Sequence, residues 1–191
     1  MINLAMKVVS EDINAFFRRR KGDSKARIIL TGLTGATGSL AADVEDNVAF
    51  LLTRISEARD HNRNDGANTP SSLIPRVRTP LYLDLDVMFA SMYRDYEVGL
   101  QALAEVIAYL QGKPIFTPEN TPAMDPALGT LVLTTVSLNY EEQSHLWGSL
   151  GAKYVPSVLY SLRLLSVSQK QIEPHDPAVA MPIVGQPSAP A

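Results

Sequence analysis

The chain has 191 residues, enough for one domain with a sizeable core and a tail. Seventeen Lys and Arg against 20 Asp and Glu give a formal net charge of -3, which excludes the basic footprint of a nucleic-acid binder. The absence of cysteine excludes a disulfide framework and a thiolate metal site, and no apolar run approaches the ~20 residues that span a bilayer.

Residues 2–20 predict an amphipathic helix. Ile2, Met6, Val9, Ile13 and Phe16 recur at spacings of four and three, one face of a 3.6-residue period. Asn3, Lys7, Ser10 and Asn14 fall on the other side. Lys7, Glu11 and Asp12 interrupt the apolar positions, which is not the layout of a signal peptide. The helix is expected to end before Gly22. Its basic end, Arg18-Arg19-Arg20-Lys21, complements the helix dipole and reads as a solvated terminus.

A short strand follows at 26–31, and then Thr34-Gly35-Ala36-Thr37-Gly38. This turn resembles the dinucleotide-binding loop of short-chain dehydrogenase-like enzymes, in which glycines let the backbone approach a pyrophosphate. Three features oppose an NAD(P)-dependent oxidoreductase. A helix precedes the strand, the expected crossover helix reads instead as a strand at 47–57, and no Tyr-x-x-x-Lys pair occurs. A flexible loop joining two strands is the favoured reading. Residues 58–79 form a long polar loop, of the kind that is functional or disordered.

Leu81, Leu83, Leu85, Val87 and Phe89 alternate with Tyr82, Asp84, Asp86 and Met88, which predicts a strand. Asp84 and Asp86 share one face. Two carboxylates without further oxygen ligands make a weak cation site, so this face is expected to meet solvent or a partner. Residues 95–111 predict a helix with two apolar bands, one through Tyr96, Leu100, Leu103, Ile107 and Leu110 and one through Val98, Ala102, Val106 and Tyr109. Only Glu97, Gln101 and Glu105 form a polar line. Such a helix is expected to be buried on most sides, either deep in the core or against a neighbouring subunit.

Pro114, Pro118 and Pro122 make 112–126 a stiff, extended connection that is neither an ordinary helix nor a central strand. Two readings stay open for it: a rigid loop that closes the domain's own core, or a shape-defined contact surface. A strand at 129–138 follows. Asn139 caps the next helix, with Glu142 completing a capping box, Leu146, Trp147 and Leu150 facing inward and Gly151 ending it. Glu142 and His145 have the Glu-x-x-His spacing of di-iron bundles, but such sites need two copies and further glutamates. A last strand, 157–167, carries Val158, Tyr160, Leu162 and Leu164 on one face. From Gln169 onward five prolines interrupt small and apolar residues, giving a linker-like arm or disordered tail over 169–191 beside a domain spanning 1–168.

These elements predict an α+β domain with a four- to five-stranded, mostly antiparallel sheet and packed helices. No metal-ligand set, nucleophile elbow or convincing nucleotide loop supports catalysis, and no cofactor is expected.

Two stretches carry a family resemblance. Gly112-Lys113-Pro114-Ile115-Phe116-Thr117-Pro118-Glu119-Asn120-Thr121-Pro122 and Leu146-Trp147-Gly148-Ser149-Leu150-Gly151-Ala152-Lys153-Tyr154-Val155-Pro156 occur in that order. The combination resembles the N-terminal domain of the tail-terminator (cap) proteins of extracellular contractile injection systems, of the antifeeding-prophage and Photorhabdus virulence cassette type. It extends over 81–111 in letters and over 1–80 in layout. The resemblance implies a tail-terminator-like fold and a structural, non-enzymatic cap. That cap would be a homo-hexamer at the end distal to the baseplate, bound to inner tube and sheath and not to nucleic acid or membrane. It would be made in the cytoplasm and incorporated in the particle. The assembly contacts it suggests are Phe116, Thr117, Pro118, Asn120, Thr121, Pro122, Trp147, Lys153 and Tyr154. An adaptor that docks cargo or membrane to the particle is the alternative.

Overall fold

The computed structural model describes residues 1–21, 27–33, 44–58 and 83–165. The expected end of the first helix at Gly22, the 34–38 turn, nearly all of the 58–79 loop and the 169–191 arm lie outside these residues. In chain order the elements are α1 (Ile2–Lys21), β1 (Ile28–Leu30), β2 (Val48–Glu57), β3 (Leu83–Ser91), α2 (Tyr96–Gly112), β4 (Ile115–Phe116), a 3-10 turn at Pro126–Leu128, β5 (Thr130–Val136), α3 (Tyr140–Leu150) and β6 (Ser157–Leu165). The strands form one sheet in the order β1-β2-β3-β6-β5-β4. β1 runs parallel to β2, and every other pairing is antiparallel.

The six strands among the described residues exceed the four or five expected, because the proline-spaced connection contributes β4. Its two residues pair with Leu131 and Val132 at the sheet edge. Pro114 has no amide to donate, but its carbonyl accepts the Leu133 N–H at 2.9 Å. An edge position is where a sheet tolerates proline.

Strand alternation sends side chains to two cores. On one face Val48, Phe50, Leu85, Val87, Phe89, Tyr160, Leu162 and Leu164 meet α1 and α2. Phe50 stacks on Phe89 at 4.4 Å between centroids, and Tyr160 meets Phe89 edge-on at 5.9 Å. This aromatic row joins three adjacent strands, each pair adding about 0.5–1.5 kcal/mol beyond area burial. On the other face Ala49, Leu51, Met88, Ala90 and Leu159 pack around Trp147 of α3.

A bulge in β2 keeps polar residues out of the first core. The register steps from Leu52↔Val87 to Arg54↔Asp86, with Thr53 as the extra residue. Without that extra residue Arg54 would oppose Leu85 and point among the helices. With it, Ile55 opposes Leu85 and Arg54 lies on the opposite face. The Thr53 hydroxyl donates to the Asp86 carbonyl at 3.0 Å across the irregularity.

The helix caps follow the sequence. Asn139 and Glu142 form the complete capping box of α3, and Gly151 ends it at φ 62, a left-handed conformation that glycine adopts without steric cost. Asp95 caps α2 through the amides of Glu97 and Val98. Gly99, in the first turns of α2, passes so close to β3 that a Cβ there would lie 2.4 Å from the Ser91 hydroxyl oxygen.

In α1 the polar side assigned from periodicity is partly wrong. Ser10 and Asn14 are buried. The Ser10 hydroxyl donates to the Lys7 carbonyl within the helix. The Asn14 amide group donates to the Ile28 carbonyl at 2.8 Å, and its oxygen accepts the Arg27 and Ile28 amides at 3.0 Å each. Periodicity scores asparagine as polar and therefore outward. Here it completes the backbone pairing of a short edge strand.

Replacing Asn14 by leucine is expected to destabilise the domain by roughly 1–3 kcal/mol for each backbone group left buried without a partner. Asn14→Asp, which keeps the acceptor and loses the donor, should lose less. Urea titration of the two variants checks the order, and equal losses would show that the three hydrogen bonds do not set it.

Candidate assembly interface

The proline-spaced loop is built around buried anchors. Phe116 and Thr121 are buried, as are Met124 and Leu128 further on. The Asn120 side chain ties the turn together: its amide group donates to the Ile115 carbonyl at 2.9 Å, and its oxygen accepts the Thr117 N–H at 3.0 Å and the Thr121 hydroxyl at 2.8 Å. The Thr121 N–H closes the turn on the Thr117 carbonyl at 2.9 Å. With proline fixing φ at Pro114, Pro118, Pro122 and Pro126, this loop loses less entropy on ordering.

One carboxylate joins the loop to the helices. Asp12 of α1 accepts from the Tyr109 hydroxyl of α2 and from the Lys113 ammonium at 2.7 Å. Lys113 donates onward to the Asn120 carbonyl at 3.1 Å and lies 4.9 Å from the Phe116 ring centroid. Phe16 packs on Tyr109 at 4.7 Å beside it. Burial first, then the hydrogen bond to Asp12 and the negative charge of Asp12, push the Tyr109 hydroxyl well above its ordinary value. Burial likewise raises Tyr160, against a hydrogen bond from Thr135 that lowers it.

The second motif lies on the other face of the sheet. Trp147 is buried in the α3 core, and Tyr154 meets its ring edge-on at 5.5 Å while remaining 60% exposed. Lys153 is exposed beside it. Of the nine suggested contacts, Phe116, Thr121 and Trp147 therefore point inward, Thr117 and Pro118 are half-buried, and Asn120, Pro122, Lys153 and Tyr154 reach the surface. Phe116 and Trp147 belong to different cores, so the two motifs present two surfaces and not one.

On the face of Asp84 and Asp86 the carboxylates themselves are largely covered by cross-strand partners. Asp86 is buried and accepts from Arg54 at 2.6 Å. Asp84 takes both Arg163 Nε at 2.9 Å and Nη2 at 3.3 Å. Arg54 and Arg163 stand directly opposite these carboxylates in the register. Cross-strand guanidinium groups thus occupy the positions a cation would take. A cavity of about 340 Å³ adjoins the patch, lined by Val132, Thr134, Ser161 and Arg163.

Within the single chain, the helix expected either deep in the core or against a neighbouring subunit is buried on one side, so it is not a deep core helix. Gly99, Ala102, Leu103, Val106 and Leu110 face the core, whereas Tyr96, Val98, Leu100 and Ile107 are exposed. Both apolar bands lie on the helix; what the pattern does not encode is how many neighbours the domain supplies. Among the described residues no group of three or more His, Asp or Glu gathers to hold a metal ion. Nor, among them, is any helix long and apolar enough to cross a membrane.

Fold and surfaces together define an α+β domain whose candidate functional residues sit on stiffened loops and on open helix and sheet faces. The chain belongs to the family described as the Pvc16 N-terminal domain, which matches residues 13–180. Solved structures share the fold, among them two terminating structures. One is the sheath/tube terminator of PVC, an extracellular contractile injection system, in its extended state, with 14% identity and a TM-score of 0.50 over 99% of this chain. The other is the anti-feeding prophage cap, a tube-terminating cap, with 15% identity and a TM-score of 0.52 over 100% of this chain. This chain covers 64% and 62% of those two chains. No curated protein matches the sequence.

Removing the Asp12 carboxylate by Asp12→Ala is expected to cost about 1.5–3 kcal/mol, the range for hydrogen bonds to charged groups, measured by chemical denaturation. Tyr109 gives a separate pH signature. Its folded value lies above the ordinary 10.0, so the native state holds the proton longer than the unfolded chain. Its stability contribution is complete below pH 10.0 and is lost as pH rises from there towards the folded value. Tyr109→Phe should flatten the alkaline decline of stability. An unchanged slope would remove the tyrosine from the cause.

Proposed function

We propose that this protein is a structural cap of a contractile, phage-tail-like particle, which terminates tube and sheath polymerisation at the end distal to the baseplate. The observation that carries this reading is the family match over residues 13–180, joined to a shared fold with two terminators over 99% and 100% of the chain. The proteins of shared fold are named as terminating structures, which supports a structural role and not a catalytic one. The cap is a homo-hexamer in this reading, made in the cytoplasm and carried into the particle, with tube and sheath proteins as partners.

Termination has a simple physical requirement. A ring subunit must match the growing end on one side and offer no continuing match on the other. The chain supports such asymmetry, since one sheet face carries two helices and the other a single helix beside a patch of paired ions. The surface-reaching residues Asn120, Pro122, Lys153 and Tyr154 are the candidates for tube and sheath contact, and the 169–191 arm is a candidate for the sheath.

The test is particle length by electron microscopy after deletion of the gene from its producing cell. Overlong, variable or unsheathed tubes are expected. Sheathed particles of normal, uniform length would overturn the cap and leave the adaptor as the reading to pursue. In a complemented strain, Lys153→Glu should lengthen particles while leaving the urea midpoint of the isolated protein near wild type, because this side chain is exposed.

A further inference from the structure

Charge is unevenly placed along this chain. Six of the 17 Lys and Arg, but one of the 20 Asp and Glu, fall within residues 18–27. That stretch carries a net +5, while the other 181 residues, with 11 basic against 19 acidic side chains, carry -8. Within it the last turn of α1 presents Arg18, Arg19 and Arg20, all exposed. The helix dipole accounts for only part of this. It places about half an elementary charge at a helix C-terminus, so three guanidinium groups leave a positive excess there. Among the described residues no carboxylate forms an ion pair with any of the three.

Helix geometry divides the three. Arg18 is four residues on from Asn14 and so lies on the flank that reaches β1. Arg19 and Arg20 are three and four residues on from Phe16, on the flank that meets α2. The Arg20 guanidinium lies over the Phe16 ring at 5.9 Å, and Phe16 packs on Tyr109. Arg19 is close enough to Tyr109 for its charge to oppose the upward shift of that hydroxyl. Tyr109 and Lys113 share the Asp12 carboxylate, and Lys113 donates to the Asn120 carbonyl. The arginine pair and the tip of the proline-spaced loop therefore adjoin, with one network beneath both. Asp12 meets the charge of Lys113. Glu119, exposed in the loop, is outnumbered by the two guanidinium groups.

We infer that Arg19, Arg20 and the loop tip at Asn120 form one cationic docking face, and that its partner is a carboxylate-rich protein surface at the end of the tube and sheath. A guanidinium group takes a carboxylate through two parallel hydrogen bonds. The Phe16 ring beneath Arg20 restrains one such fork without occupying its donors, which lowers the ordering cost of docking. The surrounding charge selects the class of partner. A nucleic acid extends its charge well past the patch and would meet the acidic remainder of the chain, whereas a protein surface can confine its carboxylates to the contact. The inference deepens the proposed cap by naming the chemistry of its partner, and it rests on that reading for the partner to be a particle protein.

Particles purified from cells lacking the gene are the probe. The full chain is sedimented with them at about 50 mM and about 300 mM NaCl, which screen exposed charge weakly and strongly, beside Arg19→Gln/Arg20→Gln and Arg19→Lys/Arg20→Lys. Wild type is expected to co-sediment at the lower salt and to bind roughly tenfold more weakly at the higher. The glutamine pair should bind roughly tenfold more weakly than wild type already at the lower salt and lose most of the salt dependence. The lysine pair, which keeps the charge but not the fork, should fall between them. Urea midpoints of both pairs should stay near wild type, because both side chains are exposed. A glutamine pair that binds as wild type does overturns the inference, as does wild-type binding indifferent to salt or absent at both salts. Binding abolished by nuclease treatment also overturns it and assigns the face to a nucleic acid. Particle length after gene deletion reads the cap separately. Overlong tubes with arginine-independent binding keep the cap and remove this face, whereas normal particles with arginine-dependent binding do the reverse.

Discussion

Everything on the helical side of the sheet depends on where α1 is held, and two polar side chains hold it. Asp12 reaches α2 and Lys113; Asn14 reaches the backbone of β1. Apolar packing alone would press α1 onto the sheet without fixing its rotation or its slide, since the hydrophobic effect has no direction. Hydrogen bonds to backbone and to a charged partner do have direction. Because Asp12 and Asn14 leave the helix on opposite flanks, rotating α1 either way breaks one set. The same carboxylate reaches the proline-spaced loop through Lys113. The position of the loop and the position of the helix are therefore one quantity.

The opposite face is governed by a different constraint. A sheet with apolar residues on both sides along its whole length would need covering on both sides, and among the described residues α3 covers part of the second side. The remainder is made tolerable by pairing charge across strands: Arg54 with Asp86, Arg163 with Asp84. The Thr53 bulge is what brings Arg54 to this face. An irregularity that costs a regular ladder step thus separates an apolar core from an ionic surface within a single strand. A fully exposed pair would add little to stability, about 0–1 kcal/mol for the median surface pair, but here each carboxylate is largely covered. Asp86, being buried, depends on its arginine more than the exposed guanidinium depends on it.

Legibility in the sequence followed the range of the interactions. Caps and periodic elements were readable because their cause lies within a few residues. Asn139 and Glu142, three apart, announced the start of α3 and Gly151 its end, and the Leu/Asp alternation announced β3. What failed needed a partner distant in the chain. Asn14 looked solvent-facing because its partners, Arg27 and Ile28, are in another element. Asp84 and Asp86 looked open because the arginines that neutralise them stand on β6 and β2. The extra strand β4 is only two residues long and flanked by prolines, too short for any periodicity. Trp147 and Phe116 stood out in the motifs, yet both are core residues. A large aromatic in a distinctive motif carries the same letters whether it anchors the loop from below or contacts a partner from above.

That ambiguity bears on how a fold can be shared at 14% and 15% identity. Apolar alternation, caps and a few directional polar ties suffice to specify the layer order, and many letters satisfy them. Partner choice on such a scaffold has to reside in what the scaffold leaves exposed. The stiffness matters energetically. Prolines in the 112–126 loop and the hydrogen bonds of Asn120 lower the ordering cost before any partner arrives. A flexible loop of the same composition would lose part of its contact energy to immobilisation at every subunit. In a repeated assembly that loss recurs with each copy, so the advantage of a pre-ordered loop grows with the number of subunits that must dock together.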